Sequence, residues 1–154
     1  MTVDVSTPHR METDTRQLAD FARSVLQREG VDPSSTVTIT FADREEIAVL
    51  NEEHLGKRGP TDVLSFPIED ATPGSPPKRA LGGPPLDLGD IVISEDVVAQ
   101  RADEYGVSYL DELYLMVCHG LLHILGWDHQ TDEDAASMEA RERDHLATVG
   151  RQRR

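Results

Sequence analysis

The clearest chemistry in this chain lies in one short run, His119-Gly-Leu-Leu-His123-Ile-Leu-Gly126-Trp-Asp-His129. His119 and His123 are four apart within a helical pattern, so both imidazoles leave the same helix face and can reach one ion. Imidazole nitrogens bind zinc at about 2.0–2.1 Å in tetrahedral geometry, which makes zinc the first candidate and another divalent ion the second. A third tetrahedral ligand cannot come from the next turn of the same helix. The chain has to turn back, and Gly126 permits this because glycine accepts the left-handed conformation that closes helices. His129 follows three residues later. Three protein ligands leave a fourth position for water, the arrangement of a catalytic site and not of a closed structural one. Two histidines at i and i+4 can arise by chance; three at these offsets around a glycine are much harder to dismiss.

What is missing narrows the chemistry. Zinc peptidases of the H-E-x-x-H pattern carry a glutamate after the first histidine as general base, and the longer H-E-x-x-H-x-x-G-x-x-H form has the spacing seen here. In this chain Gly120 holds the glutamate's place. A bound ion could still stabilise charge on a phosphoryl oxygen, so phosphodiester cleavage is chemically reasonable. Glu112 lies about 10 Å from His119 along a helix rising ~1.5 Å per residue, too far to be a ligand. Cys118 points away from His119 and reads as a core thiol. His9, His54 and His145 belong to no cluster and read as ordinary polar residues. Asp128 is a weak catalytic candidate, or simply the aspartate that holds the turn. Trp127 reads as core beside the metal, with base stacking as the alternative.

These residues need a scaffold, and the hydrophobic pattern supplies one. Residues 2–6 alternate as a short strand. Leu18, Phe21, Ala22, Val25 and Leu26 recur at helical spacing over 14–29, and Gly30 stops that helix. Val37, Ile39 and Phe41 alternate with threonines over 36–41, a strand with one buried face. Asp43 caps a second helix, with Glu46 as its capping-box partner and Ile47 and Leu50 as its buried face. Strands are expected at 62–66 and 88–94, joined by a flexible Pro- and Gly-rich surface loop at about 67–87. Helices are expected at 95–104, 108–125 and 132–146, the last two capped by Ser108 and Thr131. On the helix at 108–125, Leu110, Leu113, Val117, Leu121 and Ile124 form one apolar stripe, opposite Glu112, Met116, His119 and His123. This order predicts a single α+β domain over 1–154: a small mixed four-stranded sheet packed with about five helices, one of them a zincin-like metal helix.

Bulk properties set the limits. The chain has 154 residues, enough for one core without disulfides. No apolar run approaches the roughly 18 residues of a membrane span, and no basic segment precedes an apolar one at the N-terminus. A single cysteine forms no internal disulfide. The expectation is a cytoplasmic protein, a monomer or weak oligomer. The net charge of −14 argues against a broad nucleic-acid surface, so any such role needs a local patch or a bound cation. Basic residues do cluster, at Lys57-Arg58, Lys78-Arg79 and Arg151-Gln-Arg-Arg154. The last is expected to be a solvated, disordered tail over about 149–154.

The H-G-L-L-H-I-L-G-W-D-H run resembles the signature of the bacterial YbeY family, the endoribonuclease and ribosomal-RNA maturation family. Pro60-Thr-Asp-Val-Leu-Ser-Phe-Pro67, Leu88-Gly-Asp-Ile-Val-Ile-Ser94 and the Leu50-Asn51 pair agree with it, and the resemblance spans roughly residues 35 to 146. It implies a metal-dependent, single-strand-directed endoribonuclease that matures the 3′ end of small-subunit (16S) ribosomal RNA and serves ribosome quality control. It also implies metal ligation by His119, His123 and His129, with ribosomal RNA and ribosome-associated proteins as partners. One departure stands out. Many members have an arginine four residues after the asparagine matching Asn51, where this chain has Leu55. Lys57 and Arg58 are near enough to substitute, and together with Thr61 and Asp62 they are the expected RNA-groove residues. Two alternatives remain: a ribosome-assembly factor that binds without cutting around a structural metal, and, less favoured because of Gly120, a metallopeptidase.

Overall fold

The computed structural model describes residues 1–7 and 14–154; His9 lies outside the described residues. The elements run β1 (Thr2–Ser6), α1 (Thr15–Arg28), β2 (Thr36–Ala42), α2 (Arg44–Leu55), β3 (Val63–Pro67), β4 (Asp87–Ser94), α3 (Glu95–Tyr105), α4 (Tyr109–Ile124) and α5 (Asp132–Ala147). The sheet order is β1-β2-β4-β3: β1, β2 and β4 are parallel, and β3 runs antiparallel along the β4 edge. This is the α+β architecture expected from the pattern, with four strands and five helices among the described residues.

The alternation in β2 does what it predicts. Val37, Ile39 and Phe41 are buried and join Leu88, Ile91 and Ile93 of β4 against α1, α4 and α5 in the main core. On the other sheet face Val92 and Leu64 meet Ile47 of α2 in a second, smaller cluster. The helix starts are set by their caps: Asp14, Asp43, Ser108 and Thr131 each accept a backbone N–H of the following turn. α4 lies at the centre, packed on β3, β4, α1, α3 and α5. Its residues from Glu112 to Cys118 are all buried, as are Gly120, Leu121, Leu122 and Ile124. Leu110, assigned to the apolar stripe by spacing, is exposed at the helix start. No described helix is long and apolar enough to cross a membrane.

The C-terminal arginines differ from the expectation of a solvated, disordered tail. Arg151 pairs with Asp111 at 3.0 Å and covers the Tyr114 ring; Arg154 pairs with Glu112 at 2.9 Å and covers the Tyr105 ring. The physical reason is that α4 and α5 carry carboxylates at buried positions, Glu112 and Glu142, and a buried charge requires a partner.

Candidate metal centre

α4 and the turn after it bring the three histidines together. His119 and His123 project from the last turns of α4 with ring centroids 4.4 Å apart. The helix closes in a Schellman motif: Trp127 N–H bonds to the Leu122 carbonyl, and Gly126 N–H to the His123 carbonyl. Gly126 has φ +94°, and a Cβ there would lie 2.3 Å from the Ala71 carbonyl oxygen, so glycine is required twice over. The reversal brings the exposed His129 ring to 5.4 Å from His119 and 5.1 Å from His123. One ligand atom from each histidine falls within 4.8 Å of the others.

The hydrogen bonds fix which nitrogens are available. His123 Nδ1 lies 2.8 Å from the Trp127 carbonyl oxygen. A carbonyl only accepts, so Nδ1 carries the proton and Nε2 keeps a bare lone pair. His119 Nδ1 lies 3.2 Å from Glu142 Oε2 and is oriented in the same way. Burial opposes the charge on Glu142, but the contacts with His119 and Arg153 outweigh it and hold the carboxyl below its usual range. The two Nε2 atoms then face each other 3.0 Å apart. Bare lone pairs at that separation repel unless a proton or a metal cation lies between them, and two ligands of a tetrahedral zinc site sit about 3.3 Å apart. Burial, and then the neighbouring His119, push the His123 ring down to about 4, so it is neutral and ready to ligate at neutral pH. This donor set could hold one divalent ion, with outer partners of the kind that orient metal-bound histidines.

The histidines line a groove of about 470 Å³ whose other wall is the end of α2 and the β3 edge. Of the expected RNA-groove residues, Lys57, Thr61 and Asp62 line it, as does Leu55; Arg58 is exposed but is not among its lining residues. Asn51, buried, donates from Nδ2 to the Gly59 carbonyl at 2.9 Å and so pins the loop that carries Lys57. Asp62 accepts from Val63 N–H at 2.9 Å and lies 3.8 Å from Arg101, which anchors the start of β3. Asp128 faces a separate depression with Pro73 and Ser137, and its Oδ1 accepts from Gln130 N–H at 3.3 Å, a turn-holding bond. Trp127 is half-buried against the main core.

A family model described as Endoribonuclease YbeY matches residues 4–150. The chain belongs to the YbeY endoribonuclease family. Among curated relatives, Endoribonuclease YbeY of Acidothermus cellulolyticus is 40% identical over 136 residues, 88% of this chain and 82% of its own length. That of Moorella thermoacetica is 45% identical over 125 residues, 81% of this chain and 80% of its own. A solution structure of a Thermotoga maritima protein matches with TM-score 0.62 at 21% identity, covering 96% of this chain and 91% of that one, which speaks for the fold.

Two groups escaped the sequence reading. Glu142 is the orienting partner of His119, 23 residues away on α5. Its signal was the stripe Met138, Glu142, His145, Leu146: a core-facing helical spacing interrupted by two polar residues. His145, expected to be an ordinary polar residue, is buried, with Nε2 3.3 Å from Glu29 Oε2. His54, by contrast, is exposed and sits edge-on to Phe66.

Proposed function

We propose that this chain is a zinc-dependent endoribonuclease directed at single-stranded RNA, acting in 16S ribosomal RNA 3′-end maturation and ribosome quality control. The carrying observation is the convergence of His119 and His123 Nε2, 3.0 Å apart, with His129 beside them in an open groove. Nitrogen-only ligation with three protein donors favours zinc. When bound there, the ion would acidify water and stabilise negative charge on a phosphoryl oxygen. Lys57 neutralises a backbone phosphate beside the centre. Asn51 keeps the Lys57 loop in place, and Thr61 and Asp62 shape the strand edge along which the RNA lies. The working setting is the cytoplasm, with ribosomal RNA and ribosome-associated proteins as partners and the chain as a monomer or weak oligomer.

A second reading, an assembly factor that binds RNA without cutting it, is favoured by Leu55: it is 53% exposed and lines the groove at the place where the family resemblance implies an arginine. A peptidase is opposed by more than the missing glutamate. A Cβ at position 120 would lie 2.9 Å from Ile91 Cγ2 and 3.2 Å from Val63 Cγ2, so a side chain there is driven into the sheet. The deciding experiment is cleavage of a defined single-stranded RNA by purified protein, with and without chelator, beside a binding measurement. Chelator-sensitive cutting supports the nuclease. Binding without cutting supports the assembly factor. Neither binding nor cutting defeats both.

A further inference from the structure

The two carboxylates buried behind the histidine centre are both answered from the same short segment. Glu112 of α4 and Glu142 of α5 are each 1% exposed. Arg154 meets Glu112 at 2.9 Å, and Arg153 Nε lies 3.1 Å from Glu142 Oε1. Both arginines lie beyond residue 150, where the family match stops. Glu142 divides its oxygens: Oε1 faces Arg153, and Oε2 faces His119 Nδ1 at 3.2 Å. Arg153 is itself largely covered, 15% exposed at the side chain, and also reaches Glu139 at 3.4 Å. The chain Arg153–Glu142–His119 therefore runs from the C-terminal segment to the Nδ1 of a candidate ligand histidine.

We propose that Arg153 is a positioning residue for the metal centre, acting through Glu142 to fix the tautomer and ring orientation of His119. The inference rests on the metal reading above. A buried carboxylate stripped of its cation turns toward water or another donor. Its Oε2 then no longer keeps the proton on His119 Nδ1, and the Nε2 lone pair is no longer aimed at the ion. The neighbouring Arg151 is the internal control. It belongs to the same segment, but it pairs with Asp111 and Tyr114 and contacts no ligand histidine or its partner.

The test measures zinc affinity of the full chain by competition with a chromophoric chelator, for wild type, Arg153→Gln, Arg153→Lys and Arg151→Gln. Removing the direct outer partner of a metal-bound histidine, here Glu142, costs about 10–100-fold in affinity, and Arg153→Gln, one contact further out, should weaken zinc binding by about tenfold, the low end of that range. Arg153→Lys should recover most of it. Arg151→Gln should stay within about twofold, as expected for a partly exposed pair. Nitrogen-15 imidazole spectra of the metal-free protein give a second readout: the His119 Nδ1-protonated pattern should blur in Arg153→Gln and persist in Arg151→Gln. If Arg153→Gln does not fold, Glu142→Gln/Arg153→Gln removes both charges together and should show the same loss. Equal affinities for the Arg153→Gln and Arg151→Gln proteins, or for the double variant and wild type, overturn the proposal and leave the metal reading standing. A wild-type chain that binds no zinc overturns both.

Discussion

The two walls of the groove are held in different ways. On the α4 wall, His119 and His123 stand on a helix that is buried almost all round, and each Nδ1 is tied to a fixed acceptor. On the α2–β3 wall, Leu55, Lys57 and Arg58 are exposed, and Asn51 tethers the loop, donating to the Gly59 carbonyl and accepting from Lys57 N–H. Packing and fixed acceptors specify the first wall, which is what a metal site would demand. The second wall is specified by which side chains project from a tethered loop, as an extended polyanion allows. Leu55, at the place where the family resemblance implies an arginine, belongs to this second wall and is exposed there.

The comparison breaks most directly at the proposed metal ligands. His123→Ala should leave the chain without a tightly held ion after chelator-free purification, measured by elemental analysis; full occupancy would show that the α4 wall is not a metal wall. Next in size is Gly120→Glu, which restores the peptidase pattern by sequence. Overpacking costs about 1–3 kcal/mol, and an unpaired buried charge adds several more. At about 2–4 °C per kcal/mol for a domain of this size, the melting temperature should fall by roughly 10 °C or more, with no casein cleavage. A variant that melts like wild type and cuts casein would show that the α4–sheet packing is looser than these distances imply.

Much of the rigid wall was legible in the sequence because its causes are local. The alternation of Val37, Ile39 and Phe41, the caps at Asp43, Ser108 and Thr131, and the His119, His123, Gly126, His129 spacing each act within a few residues. Glu142, Arg153 and His145 were missed or misread because their partners lie on other elements. Periodicity reports that a position faces the core, and does not report what a polar group meets there. The Arg151–Arg154 segment was misjudged for the same reason: its charges read as solvated until the buried Glu112 and Glu142 are seen beneath them.

The second wall is sharpened by separating its two cations. Lys57 lines the groove and Arg58 is not among its lining residues, so the charge reversals should differ. Lys57→Glu should weaken RNA binding and flatten its log–log salt dependence by roughly 0.7, the value of one single-strand phosphate contact. Arg58→Glu should do neither to the same degree. The folds of both variants should hold, since exposed loop substitutions usually cost under about 0.5 kcal/mol. Equal slopes for Lys57→Glu and wild type would make this loop a solvated surface and leave the RNA to the centre itself or to ribosomal partners.

The smallest effect tests how far the rigid wall extends behind the histidines. Arg141 lies 5.2 Å over the Trp127 ring, whose carbonyl holds His123, and its guanidinium meets Glu29 at 2.7 Å. The Glu29 side chain is 4% exposed, and His145 lies 3.3 Å from it. Burial opposes its charge, but the contacts with His145 and Arg141 outweigh that opposition and hold the Glu29 carboxyl below its usual 4.5. A carboxyl whose folded pKa lies below its unfolded value adds stability above the unfolded value and loses it as pH falls through the folded one. Glu29→Gln should therefore be less stable than wild type at neutral pH, on the order of 1 kcal/mol because Arg141 is partly solvated. The two proteins should converge in acid, below the folded pKa of Glu29. Urea midpoints on both sides of that transition measure it. A constant difference across the range would mean that packing, not charge, holds Glu29. No difference at all would end the rigid wall at Trp127 and leave the Glu29, Arg141 and His145 cluster independent of it.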